Sequence, residues 1–122
     1  MKIRIKGNSV RIRVTKSEVT MFTETGRLEE RTDFGDTILT YALQSSNVFE
    51  NPSADFKSNT VTVYIPTPIM KIWVDTDQVS IKHKTDIGND KTLSILVEKD
   101  FVCLDHTDED QSDNFPNPNR TC

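Results

Sequence analysis

Two cysteines, a histidine and a run of acids crowd the last twenty residues of this 122-residue chain, Cys103 to Cys122. Cys103, His106 and Cys122 supply two thiolates and an imidazole, and Asp108 or Asp110 supplies a carboxylate. A structural zinc site needs four such ligands, ordinarily in paired, short-spaced motifs. Here only Cys103-Leu104-Asp105-His106 is short-spaced, so the metal reading has one half of its usual signature. The plainer reading makes Cys103 a small buried apolar residue at the end of the last strand. A Cys103–Cys122 disulfide pinning the tail is a third reading, disfavoured in a reducing compartment. The acids Asp105, Asp108, Glu109, Asp110 and Asp113 are oxygen ligands of the kind calcium or magnesium uses, but the run lacks the glycine that turns an EF-hand loop. A solvated acidic tail accounts for them more simply.

A second group of side chains lies at the other end. Residues 1–16 hold six bases, Lys2, Arg4, Lys6, Arg11, Arg13 and Lys16, and no acid. Such a cluster neutralises phosphates, the main source of non-specific nucleic-acid affinity, and a two-stranded ribbon fits a major groove. The plainer reading is a solvated sheet face whose cations guard an edge. Residues 105–122 carry five acids and one base, which leaves fourteen of each in the body. The net charge of −4 is therefore a property of the tail, and the overall acidity argues against a general DNA binder. The opposed ends suggest that the tail folds back over the basic hairpin and blocks it.

Catalytic constellations are sparse. The two histidines, His83 and His106, are the candidate bases. His83 stands between Lys82 and Lys84 and alternates to the face opposite them, as a core or interface histidine does. Cys103 with His106 is a pair by sequence proximity alone. The chain has no P-loop, dinucleotide fingerprint or serine elbow. Trp73 and Phe22 read as core residues before they read as a ligand-stacking platform.

The elements that position these groups follow from periodicity. Lys2 to Lys6 alternates apolar and charged, Gly7-Asn8 is turn chemistry, and Val10, Ile12 and Val14 alternate with Arg11 and Arg13, so residues 2–14 form a hairpin with one buried face. Thr15-Lys16-Ser17-Glu18 is a capping box opening a helix, which Gly26 stops. Residues 27–33 and 37–44 form two strands, 45–55 a loop, and Phe56 to Ile65 the next strand. Pro66 and Pro68 suit a first helical turn. Ile69, Met70, Ile72 and Trp73 give that helix an apolar face, and 78–84 and 91–99 form the last strands. At an offset of 51, Val10, Ile12 and Val14 match Val61, Val63 and Ile65, while Val19, Phe22 and Leu28 match Met70, Trp73 and Val79. A duplicated architecture follows.

The expected fold is mostly β (α+β): a pseudo-duplicated, seven-stranded, mainly antiparallel barrel or sandwich with two short helices. Residues 1–104 form one domain, with halves at about 1–45 and 56–104, followed by an acidic tail at 105–122. No apolar run approaches the ~20 residues of a membrane span, and the start M-K-I-R-I-K-G has no signal-peptide core. The expected location is cytoplasmic.

Two resemblances add to this. T-V-T-V-Y-I-P, a short helical stretch, Q-V-S-I-K-H-K and L-S-I-L-V-E-K, within residues 59–99, resemble the AbrB-type swapped-hairpin domain. That family builds a barrel from two chains and binds DNA through basic residues, and its most specific element here is Val63-Tyr64-Ile65-Pro66. The first half departs from it, with Thr15 where the proline would stand. K-I-R-I-K-G-N-S at the start and E-D-Q-S-D-N-F-P-N-P at residues 109–118 resemble a family of small uncharacterised bacterial proteins, which implies no activity. The expectation is a non-enzymatic binding or interaction module with no cofactor. The alternatives are an AbrB-like nucleic-acid-binding regulator or antitoxin and, third, a metal-binding enzyme. A protein partner is expected, with nucleic acid and a second copy of the chain as further candidates and no membrane.

Overall fold

The computed structural model describes residues 1–101 and 112–116. The chain begins with a hairpin of β1 (Lys2–Lys6) and β2 (Ser9–Val14), continues through α1 (Lys16–Thr25), and returns as a hairpin of β3 (Arg27–Asp33) and β4 (Ile38–Ser46). The same five elements then recur as β5 (Ser53–Lys57), β6 (Thr60–Pro66), α2 (Thr67–Asp75), β7 (Ser80–Gly88) and β8 (Lys91–Lys99). The repeat is therefore complete, and there are eight strands among the described residues rather than seven.

The missed strand is β5. Ser53–Lys57 pairs antiparallel with β6 across Ser58-Asn59, where both residues adopt left-handed backbone (φ 51° and 60°). Two consecutive left-handed residues make the tight turn whose twist suits a hairpin. The second turn of this kind, Asn89-Asp90 (φ 54° and 59°), joins β7 to β8.

The strands form two four-stranded sheets, in the orders β1-β2-β8-β7 and β3-β4-β6-β5, and neither closes into a barrel. Each sheet takes one hairpin from each half. The hairpins pair internally as antiparallel strands, and the two halves meet along parallel seams, β2 with β8 and β4 with β6. A parallel pair needs a crossover connection. The helices supply part of it, carrying the chain from one sheet to the other.

Alternation sets the faces. Ile12 aligns with Val97 and Ile81 in the first sheet, and Leu43 with Leu28 and Val63 in the second. All six are buried, and with Phe22 of α1 and Trp73 of α2, both fully buried, they belong to one core. Phe22 and Trp73 occupy matching helix positions, as the offset of 51 requires. After the helices the offset widens to 53, so Leu28 corresponds to Ile81 and not to Val79. The reason lies in the helix ends. Gly26 takes a left-handed conformation (φ 75°) and its N–H donates to the Phe22 carbonyl at 2.8 Å, so β3 starts at once. At the end of α2, Thr76 is extended, and the chain needs Thr76 to Val79 before β7 begins.

The capping box forms as its sequence predicts, with the Glu18 carboxylate accepting the Thr15 N–H at 3.0 Å. Part of the tail also returns. Asp113 accepts from the Ser17 backbone N–H (3.2 Å) and the Ser17 hydroxyl, and its carbonyl accepts the Lys16 N–H (3.1 Å). Phe115 forms a parallel bridge with Phe101, their rings 5.9 Å apart, and its N–H donates to the Asp100 carbonyl at 2.8 Å. Residues 112–116 thus dock on the start of α1 and the end of β8. Among the described residues, no helix is long and apolar enough to cross a membrane.

Candidate anion-binding face

The side chains opposite the core on the first sheet fall into three cross-strand rows. The register aligns Lys6, Ser9, Ser94 and Lys84, then Arg4, Arg11, Leu96 and Lys82, then Lys2, Arg13, Glu98 and Ser80. Seven cations and one acid share this face. The following step toward the β7–β8 turn brings Asp86, whose carboxylate accepts the Gly88 N–H at 2.8 Å. The first two rows, with Val10, His83 and Ile95 between them, line a cavity of about 700 Å³, with Ser9, Arg11, Ser94 and Leu96 along its middle and the cations of β1 and β7 on opposite sides.

Charge within the face is unevenly compensated. Arg11 and Arg13 both donate through Nε to Oε1 of Glu98, each at 2.7 Å. Lys2 Nζ lies 3.4 Å from Oδ2 of Asp100. Arg4, Lys6, Lys82 and Lys84, which flank the cavity, make no ion pair among the described residues. The second sheet is the internal control. Its outer rows are Arg27-Gln44-Tyr64-Ser53, Glu29-Ala42-Thr62-Asp55 and Arg31-Thr40-Thr60-Lys57. Every cation there is paired: Arg27 and Arg31 with Glu29 at 3.0 and 3.1 Å, and Lys57 with Asp55 at 3.8 Å. The two guanidiniums hold the Glu29 carboxyl below its ordinary range through their hydrogen bonds. At the offset of 51, Arg4 stands where the second half has Asp55, and Arg11 where it has Thr62.

Five of the six basic residues expected to act together, Lys2, Arg4, Lys6, Arg11 and Arg13, share this face. Lys16 does not, because it opens α1 beyond the end of β2. Lys82 and Lys84 complete the face and were not foreseen. Their alternation about His83 was visible, but the pairing that brings β7 into this sheet runs through β8, far from β1 in sequence. His83 falls in the core-facing row Ile5-Val10-Ile95-His83, opposite the two lysines, and is half-buried. Cys103, His106, Asp108, Asp110 and Cys122 lie outside the described residues. Among the described residues, no three His, Cys, Asp or Glu side chains converge on a metal position.

A family model described as a family of unknown function (DUF7009) matches residues 1–119, so the chain belongs to that family. Comparison with curated proteins and with solved structures gives no match, to AbrB-type domains or to any other.

Proposed function

We propose that this family member is a non-enzymatic binding module whose ligand surface is the outer face of the first sheet and whose ligand is a phosphate-bearing polyanion. One observation carries the reading. Two faces related by the internal repeat share a backbone but differ in charge, and only the first bears cations without ion-pair partners beside a cavity. A solvated surface needs no such asymmetry, whereas a polyanion site is built by collecting cations on one face. A cytoplasmic site of action accords with such a ligand. The exchange of hairpins between the halves motivates an alternative reading, an AbrB-like regulator that binds duplex DNA through this face.

Salt-dependent binding tests the proposal. Affinity for heparin and for a short DNA duplex is expected to fall linearly with log salt, because binding releases condensed counterions. Arg4→Ala and Lys82→Ala should each reduce the slope by about one. Lys57→Ala, on the second sheet, should leave it unchanged. Equal effects from the two faces, or binding indifferent to salt, would overturn the assignment.

A further inference from the structure

We infer that the cleft on this face seats a single phosphodiester strand lying along β2 and β8 and held through its phosphates alone, independently of its bases. The inference rests on the polyanion reading above and adds the form of the ligand.

The rows define two seats. Lys6 and Lys84 flank the Ser9–Ser94 pair, and Arg4 and Lys82 flank the Arg11–Leu96 pair. Alternate residues along a strand lie about 7 Å apart, and three strand spacings put β1 and β7 about 14 Å apart. Long lysine and arginine side chains reaching inward from both edges therefore close over one chain, not two. The cleft is open to solvent along its length, and its volume of about 700 Å³ gives room for a short stretch of one chain. A duplex, whose grooves of about 12 and 6 Å together exceed this span, meets only the cations at the rim of the cleft.

The Ser9–Ser94 pair keeps the floor of the first seat low, and Arg11 with Leu96 forms that of the second. Past the cavity, Lys2 and Arg13 carry the line of cations one step further along β1 and β2, where Asp100 and Glu98 pair with them and β7 presents Ser80. A track that repeats suits a polymer of phosphates rather than a single bisphosphorylated molecule. Base recognition has no apparatus here. The twelve side chains of the three rows include no aromatic ring on which a base would stack, and such platforms characterise single-strand binders that grip the bases. Glu98, the one acid of the rows, holds Arg11 and Arg13 in place and competes with an incoming phosphate for both.

The test uses the full chain and fluorescence anisotropy. The probes are a labelled oligothymidylate, its abasic deoxyribose-phosphate analogue of equal length, a duplex with the same number of phosphates, inorganic polyphosphate and heparin. The strand and its abasic analogue should bind within about threefold of each other, and the duplex should bind more weakly. The pairs Lys6→Ala/Lys84→Ala and Arg4→Ala/Lys82→Ala should each flatten the single-strand salt slope by about 1.4, two phosphates at ~0.7 each. Glu98→Gln should tighten binding, with circular dichroism confirming an unchanged fold. Failure of the abasic analogue to bind, tighter binding of the duplex, or slopes untouched by either pair would overturn the inference. Heparin or polyphosphate held at this face while the strand is refused would sink this inference and leave the polyanion reading standing. Refusal of every polyanion would sink both.

Discussion

Lys99 is a cation on the core side of the first sheet. Its side chain ends between Trp73 and Phe115, with Nζ 5.8 and 5.6 Å from the ring centroids, and it donates to the Thr76 carbonyl at 2.9 Å. A cation at the C-terminal end of a helix is favourably placed against the helix dipole, and the aromatic faces add their own attraction. Burial nonetheless dominates and lowers the pKa of the ammonium, with Asp77 opposing. The unfolded chain, titrating near the ordinary value of 10.5, binds more protons than the folded one between the two pKa values. Stability should therefore rise with pH across that window and be lower below it. Lys99→Met should abolish the rise, which urea unfolding from neutral to alkaline pH would show. Asp113 has the opposite behaviour. Hydrogen bonds from the Ser17 hydroxyl, then from Thr15, lower its pKa below the ordinary 3.8. Its contribution is complete above that ordinary value and is lost as pH falls through the lowered one. Asp113→Asn should remove this acid-side loss, and amide exchange at Lys16 and Ser17 should be faster in the variant already at neutral pH.

Among the elements, the connections divide what could be read from what could not. The first hairpin, the Thr15–Glu18 box and the Gly26 stop are local signals, each decided by residues within one turn of one another, and the structure has all three. Periodicity divides β5 between a loop at 45–55 and a strand running from Phe56 to Ile65, because its turn, Ser58-Asn59, lacks the glycine that announces a tight hairpin. That turn carries a conformational cost. Asn59 is left-handed without glycine's freedom, so Asn59→Gly should stabilise the fold by about 0.5–1 kcal/mol, visible as an upward shift in the urea midpoint with an unchanged slope. The widened offset after α2 was likewise illegible. It depends on how a helix ends in space, and the pattern of apolar residues matches almost as well with Val79 as with Ile81.

For the whole molecule, the duplication was legible and its consequence was not. An offset of 51 shows that two halves share a pattern, but not that each half donates its hairpins to different sheets. The basic face depends on that exchange. Its cations come from β1 and β2 of the first half and from β7 of the second, so neither half's sequence contains the whole face. A chain with an acidic net charge carries a basic face because the net of −4 lies in residues 105–122 and seven of the fourteen bases of the neutral remainder are gathered on one face of one sheet.

The parallel seams between the halves have a further implication. Severed within residues 47–52, the chain would yield two fragments, each holding two hairpins and a helix but no finished sheet. Each would lack a neighbour for β2 and β4, or for β6 and β8, and would leave half of the common core exposed. The fragments should be unfolded alone and should reconstitute on mixing, recovering the native circular dichroism and a single unfolding transition. Cooperative folding by either fragment alone would contradict this. The boundary between the repeats is in that sense an obligate subunit interface, made permanent by a six-residue tether.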